Sequence, residues 1–154
     1  MSESKLVYVE SDLFTAPDHS ILVHACNTLG SWGSGIALAF RQNYPAQFAQ
    51  YKTHCEAHGE ALIGTCLLIP GDKHDIACLF TSRAYGRHKD KPNDILTATR
   101  KAVKGLEAQN LDNKELHAWL VEYWMILCHW IDILLLVVSI LESLLFLGKI
   151  PKLY

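Results

Sequence analysis

Residues 21–40 read ILVHACNTLGSWGSGIALAF, and this stretch decides the fold prediction. Its first six residues form a near-continuous apolar run, which is typical of a strand buried on both faces of a sheet. A Gly/Ser-rich loop follows over 27–35. The apolar residues from Ile36 then begin a helix that must end near Tyr44, because Pro45 disfavours helical geometry in the residue before it.

On either side of residues 21–40, apolar runs typical of strands alternate with amphipathic segments typical of helices. One helix is expected to end at Gly59, because glycine suits a helix C-terminus, and Asp94 is expected to cap another. Alternating strands and helices predict an α/β sandwich. The predicted strands are 6–9, 21–26, 64–69 and 75–81, and the predicted helices are 36–44, 46–58 and 94–109.

The length, charge and cysteine content of the chain limit the classes of function that it can have. The 154 residues fit one domain, and the net charge of -2 gives no electrostatic case for a nucleic-acid partner. The five cysteines follow neither a CxxC nor a Cys/His zinc spacing, so we expect no metal, no cofactor and a reducing compartment. The first residues lack signal-peptide features, which predicts a cytoplasmic or nuclear location.

Residues 118–147 differ from the rest of the chain. Their charged residues are Glu122, Asp132 and Glu142, and the remainder is largely apolar. A membrane-spanning helix needs about 20 mainly apolar residues, and here no window of that length is free of charge. A membrane-associated helix and a buried or aggregation-prone helix both remain open.

The loop at 27–35 has the features of an anion site. Glycines let backbone N–H groups approach a ligand, and a helix N-terminus adds unpaired donors and a favourable dipole. An ordinary strand-to-helix turn is the alternative. The loop is neither a Walker A motif nor a dinucleotide fingerprint, because the lysine of the first and the third glycine of the second are absent.

The sequences HACN at 24–27, GSWGSGIA at 30–37 and YP at 44–45 resemble the yeast-type ADP-ribose 1''-phosphate phosphatase branch of the macro domains. Further agreement occurs at 8–13, 51–52, 62–64 and 79–82, so the resemblance covers about Leu6 to Lys104. It implies a three-layer α/β/α sandwich with a mixed sheet.

The resemblance also implies a site for ADP-ribose or its 1''-phosphate. His24 is the implied acid/base or phosphate-orienting residue, and Asn27 is implied to hold ribose hydroxyls and to share in catalysis. The implied binding residues are Ser11, Asp12 and Leu13 for adenosine, Ala25, Cys26 and Asn27 for the distal ribose, and Trp32, Gly33, Ser34, Gly35, Ile36 and Ala37 for the diphosphate.

Each role has a structural alternative. His24 fits a core histidine, Asn27 and Asp12 fit turn caps, and Cys26 fits core packing. Asp90 is a weak catalytic candidate. The basic residues of the nearby loop would either steer phosphate or form a solvated surface; they are Arg83, Arg87, His88, Lys89 and Lys91.

Two departures from the family pattern stand out. Ser34 replaces a glycine, and after Glu115-Leu116-His117 the expected strand and its Ser-Gly-x-Phe-Gly loop are missing from the sequence. A changed reading frame, a retained intron or a gene-model error would explain this. We therefore predict an incomplete, apparently truncated macro-domain-like region at 1–116, followed at 117–154 by an apolar tail of uncertain structure that includes a helix.

The predicted function is metal-independent hydrolysis of ADP-ribose 1''-phosphate to ADP-ribose and phosphate, or removal of ADP-ribose from modified protein. The alternatives are a non-catalytic ADP-ribose-binding module and an inactive truncated product whose tail associates with membranes. The predicted partners are therefore ADP-ribose or its 1''-phosphate and ADP-ribosylated proteins.

Overall fold

A computed structural model describes residues 7–118 and 151–153. The helices and strands follow the apolar runs of the sequence closely. The strands are β1 Val7–Tyr8, β2 Ile21–Asn27, β3 Cys66–Ile69, β4 Asp75–Ser82, β5 Leu116–Ala118 and β6 Pro151–Leu153, and the helices are α1 Gly35–Asn43, α2 Pro45–His58 and α3 Pro92–Gln109.

The described strands form one mixed sheet in the order β1-β6-β5-β2-β4-β3. Central strand β2 pairs in parallel with both β4 and β5, whereas edge strand β3 runs antiparallel to β4. Every residue of β4 is buried, as expected for a strand covered on both faces. The mixed sheet implied by the resemblance is confirmed.

Alternation of side chains along the central strands divides the core into two layers. Leu22, Cys26 and Cys78 face α1 and α2, whereas Ile21 and Val23 face α3. Side chains at successive strand positions point to opposite faces, so a continuous apolar run can fill both layers. This arrangement confirms the predicted three-layer α/β/α sandwich.

Helix boundaries follow the expected proline and glycine signals. Helix α1 ends at Asn43, and Pro45 occupies the first turn of α2, where its missing N–H costs nothing. Gly59 caps α2 with a φ of +53°. Asp94 does not cap α3, contrary to expectation: the helix begins at Pro92, and Asp94 lies in its first turn, where a carboxylate still stabilises the helix dipole.

The sheet continues beyond the predicted boundary at residue 116. Strand β5 spans Leu116–Ala118, and Pro151–Leu153 lies between β1 and β5, parallel to both. Most of the apolar segment 118–147, including its predicted helix, lies outside the described residues. Within the described part of the chain, no helix is long and apolar enough to span a membrane.

Candidate functional site

The Asn27 side chain holds the loop that follows β2. Its amide nitrogen donates to the Ser31 carbonyl at 2.7 Å, and its oxygen accepts from the N–H groups of Leu29 and Ser31 at 3.0 and 3.3 Å. Gly30 has a φ of +72° within this turn, a conformation that glycine adopts without strain. These contacts are those of a turn cap, and the ribose-binding and catalytic roles of Asn27 remain predictions.

Tyr51 joins this turn to helix α2. Its hydroxyl donates to the Asn27 carbonyl at 2.7 Å, and its buried ring stacks on Trp32 with centroids 4.9 Å apart. Sequence reasoning gave Tyr51 no role of its own. Nothing in the sequence around Tyr51 indicates that its hydroxyl bonds to Asn27, because the two residues are 24 positions apart.

The exposed part of the loop leads into α1. Gly33, Ser34 and Gly35 are exposed, and a Cβ added to Gly35 would have no atom within 4 Å. Ser34 is the N-cap residue of α1, yet its side chain makes no capping hydrogen bond. The first-turn N–H groups have no partner inside a helix, so this end of α1 suits a small anion.

Beneath the loop lies a group of buried rings, His24, Trp32, Phe40 and Tyr51, which we call the floor cluster. His24 is 5% exposed and Trp32 is 1% exposed. The His24 ring stacks on Phe40 at 4.0 Å with an interplanar angle of 11°, and it meets Trp32 edge-on at 4.8 Å. These are the contacts of a core histidine, so the acid/base role of His24 remains a prediction.

The other residues predicted to bind the ligand from β2 and the loop after it also divide into exposed and buried positions. Cys26 is buried beside His24, whereas Ala25 is exposed and points to the opposite face of the sheet. Ile36 and Ala37 are half-buried and pack against the core on the α1 side. Contact with a ligand through this segment is therefore available mainly from its backbone.

The loop after β1 lies against helix α1. Asp12 accepts from the Phe14 N–H at 2.9 Å and caps a short 3-10 turn at Leu13–Thr15. The Phe14 ring meets Phe40 of α1 at 5.1 Å, while Ser11 is exposed. The structure thus brings the two predicted ligand segments together. The Leu13 side chain is fully buried and serves the core.

A hydrogen-bonded relay that sequence reasoning missed supports this second loop. His74 Nε2 lies 2.9 Å from the Ala16 carbonyl, and its Nδ1 lies 2.6 Å from the Tyr44 hydroxyl. Because a carbonyl only accepts, Nε2 carries the proton and Nδ1 accepts from Tyr44. Burial, followed by the charge of Asp12, raises the pKa of Tyr44, so the phenol stays a donor.

The basic loop after β4 is held in place by hydrogen bonds of Asp90, an acidic residue of the same loop. Asp90 accepts from the Arg83 N–H at 3.1 Å and from its guanidinium at 2.8 Å, while the Asp90 N–H donates to Ser82 Oγ at 2.9 Å. These contacts anchor the loop, and the catalytic role considered for Asp90 stays a prediction. Four residues of the loop that were considered for phosphate steering are exposed, namely Arg87, His88, Lys89 and Lys91.

Comparison with known proteins matches this architecture. A family model described as the Macro domain matches residues 23–116. The chain is 50% identical over 106 residues to the ADP-ribose 1''-phosphate phosphatase of Chaetomium globosum, an alignment covering 62% of this chain and 57% of that protein. It is 40% identical over 140 residues to the protein of the same name from Neosartorya fischeri, covering 70% of each. The chain thus spans little more than half of the first of these relatives.

Solved structures with low sequence identity share the fold. The macrodomain of Mycobacterium tuberculosis DarG superposes with a TM-score of 0.76 at 24% identity, covering 98% of this chain and 97% of that one. Thermosipho africanus DarTG, solved in complex with ADP-ribose, has a TM-score of 0.67 at 17% identity, covering 95% of this chain and 40% of that one. Fold, family model and relatives agree that the chain belongs to the macro domain family.

Proposed function

We propose that the chain is a hydrolase that converts ADP-ribose 1''-phosphate to ADP-ribose and phosphate, with removal of ADP-ribose from modified protein as its other candidate reaction. The observation that carries the proposal is the uncapped N-terminus of α1 at the exposed turn Gly33–Gly35. The names of the two fungal relatives supply the substrate. A cytoplasmic or nuclear location belongs to the same proposal.

The diphosphate would lie over the N-terminus of α1. Backbone N–H groups in the first turn of a helix donate to anions without a charged side chain, and the helix dipole adds to the attraction. This fits the near-neutral composition of the chain, whose net charge is -2. The adenosine would extend towards Asp12, whose exposed carboxylate is an acceptor for an amino group.

In the proposed reaction, a water oxygen attacks phosphorus and the bond between phosphorus and the oxygen of the distal ribose breaks. The released ribose oxygen takes up the proton that the attacking water gives up, while the loop N–H groups stabilise the charge that develops on the phosphoryl oxygens. Asn27 ends the strand below this position and holds the turn in shape. Direct proton transfer by His24 would require its ring to leave the stack on Phe40.

That burial of His24 favours a second candidate function, a module that binds ADP-ribose without turnover. Phosphate release from ADP-ribose 1''-phosphate separates the two, because a binder would bind the compound and release no phosphate. His24→Gln is the sharper variant for this assay, since it keeps more volume in the floor cluster than His24→Ala would. Lost turnover with preserved ADP-ribose affinity would support a role of His24 in the reaction.

A charge-matched pair of variants tests the diphosphate site itself. Asn and Asp at position 34 are both good N-cap residues and compete equally for the first-turn N–H groups, so they differ mainly in charge. Calorimetry with ADP-ribose should show affinity for Ser34→Asp at least about tenfold below that for Ser34→Asn. Equal affinities would place the diphosphate elsewhere.

A further inference from the structure

Strand β3 forms one edge of the described sheet. Among the described strands it has a neighbour on one side only, which is β4. An edge strand presents N–H and C=O groups to which an extended segment of another chain can add. The segment 64–70, GTCLLIP, carries no charged side chain that would discourage such pairing. The outward backbone groups of β3 therefore decide whether this edge is open.

The pairing of β3 with β4 shows which backbone groups point outward. The Phe80 N–H donates to the Thr65 carbonyl at 3.0 Å, so this carbonyl points towards β4. Backbone groups of successive residues in a strand point to opposite sides. Cys66 and Leu68 therefore direct their N–H and C=O groups away from β4, at the outer edge of the sheet.

Gln109, the last residue of α3, bonds to both of these residues. Its Nε2 donates to the Cys66 carbonyl at 2.9 Å, and its Oε1 accepts from the Leu68 N–H at 3.4 Å. In a parallel pair of strands, one residue of the neighbouring strand donates and accepts at the same two positions. The side-chain amide of Gln109 thus takes the place of one residue of an additional strand.

A third hydrogen bond fixes the orientation of this amide. Nε2 of Gln109 also donates to the Gly105 carbonyl at 3.1 Å, one helical turn earlier. With the amide reversed, its oxygen would face two carbonyl oxygens and its nitrogen would face an N–H group, so the contacts allow one orientation. Although Gln109 is exposed, both ends of its amide are bonded to the protein backbone.

The end of α3 is itself held beside β3. A Cβ added to Gly105 would lie 3.6 Å from both the backbone nitrogen and the Cβ of Cys66, so the helix approaches the strand closely at this point. Asn110, which is buried, exchanges two hydrogen bonds of 2.9 Å with the backbone of Lys114. These contacts fix where the helix ends and therefore place Gln109 at the edge of β3.

We propose that Gln109 closes the outer edge of β3 against strand addition, and that the partner it excludes is a second copy of this chain. Two copies can pair through the same edge about a two-fold axis, each supplying the uncharged segment 64–70. Such pairing uses the Cys66 carbonyl and the Leu68 N–H, which Gln109 occupies. This role is independent of the proposed hydrolase activity, because none of these residues belongs to the candidate ligand site.

The first test measures self-association of the full chain by sedimentation equilibrium. Gln109→Ala removes the amide and opens the edge, so its dimer association constant should exceed that of the unmodified chain by at least about tenfold. Gln50→Ala makes the same change at an exposed position of α2 and should match the unmodified chain. Equal association of the two variants would overturn the proposal.

Gln109→Glu separates edge opening from a general loss of stability. This variant loses the two hydrogen bonds that Nε2 donates, as Gln109→Ala does, but it places a charge at the edge, and charged side chains oppose strand pairing. We expect its association constant to stay near that of the unmodified chain. If Gln109→Glu associated as strongly as Gln109→Ala, partial unfolding rather than edge pairing would be the cause, and the proposal would be wrong.

Hydrogen exchange at single amides, followed by NMR, locates the contact between copies. In dilute Gln109→Ala, the Leu68 amide should exchange several-fold faster than in the unmodified chain, because it has lost its acceptor. Its exchange should slow again as the protein concentration rises. The Leu67 amide points towards β4 and should stay protected throughout. Exchange at Leu68 that did not depend on concentration in an associating variant would place the contact elsewhere and contradict the proposal.

Discussion

The exposed turn at 33–35 and the floor cluster beneath it belong to one sequence motif but have opposite surroundings. The turn presents backbone N–H groups at an uncapped helix end. The floor cluster consists of buried rings stacked on one another, with His24 on Phe40 and Trp32 on Tyr51. The sequence resemblance implies ligand contacts for the predicted residues of both regions, whereas in the structure the turn is exposed and the floor cluster is buried.

This division implies that affinity and stability can be changed separately. Substitutions in the turn should alter binding of a diphosphate with little effect on unfolding, because the turn is exposed. Substitutions in the floor cluster should alter unfolding first, because buried rings contribute through packing and loss of apolar contact.

The largest effect is expected for Phe40→Ala. The Phe40 side chain is fully buried and contacts the rings of His24, Trp32 and Phe14, so its removal leaves a cavity at the centre of the cluster. We expect a loss of about 3–5 kcal/mol in the free energy of unfolding, measured by urea denaturation.

Leu38→Ala is the matched control for this prediction. Leu38 lies on the same helix but is 37% exposed, and its truncation should cost at most about 1 kcal/mol. Similar losses for the two variants would mean that the floor cluster contributes no more to stability than the surface of α1.

Tyr51→Phe sharpens the contrast, because Tyr51 links the two regions. The substitution keeps the stacked ring and removes the hydroxyl that donates to the Asn27 carbonyl at 2.7 Å. We expect a loss of about 1–2 kcal/mol in unfolding free energy and a several-fold fall in affinity for ADP-ribose, measured by calorimetry. The affinity should fall because the capped turn would lose its anchor on α2.

Tyr85→Phe serves as its control. Tyr85 is 59% exposed and precedes a short 3-10 turn in the loop after β4. This variant should match the unmodified chain in both measurements. If Tyr51→Phe lowered stability without changing affinity, the turn would hold its shape through Asn27 alone, and the two regions would be independent.

The secondary structure around these regions was predictable because it follows local rules. Apolar runs predicted strands β1 to β4, and Pro45 and Gly59 marked the helix ends where the structure has them. The division of 24–37 into exposed backbone and buried side chains was not predictable, because it depends on which face of β2 meets α1. The sequence showed that the side chains of His24, Ala25 and Cys26 alternate between the two faces of β2. It did not show which of the two faces packs against the aromatic rings of the floor cluster.

Contacts between distant segments were beyond sequence reasoning for a related reason. His74 follows a turn with no pattern around it, yet it bridges Tyr44 and the Ala16 carbonyl. Strand β6 is only Pro151–Leu153, too short to have a hydrophobic period, and its place between β1 and β5 comes from long-range pairing. In both cases the missing information was which distant segment forms the contact, and the residue types alone do not give that.

The smallest expected effect concerns the relay beneath the predicted adenosine loop. Tyr44→Phe leaves His74 Nδ1 without its donor and should cost about 1 kcal/mol in unfolding free energy near neutral pH. Burial and Asp12 raise the pKa of Tyr44 above the ordinary value of 10.0, so the folded state keeps the proton longer than the unfolded state. The contribution of Tyr44 is therefore complete below about pH 10 and is lost as pH rises through the raised pKa.

Denaturant unfolding of the unmodified chain and Tyr44→Phe, compared from about pH 8 to about pH 11, checks this sign. The difference between the two should shrink above about pH 10, because only the unmodified chain loses the contribution of this phenol. Tyr85→Phe should follow the unmodified chain throughout. A constant difference would mean that the folded state releases the Tyr44 proton as readily as the unfolded state, and a growing one that it releases the proton more readily; either result would contradict the raised pKa of Tyr44.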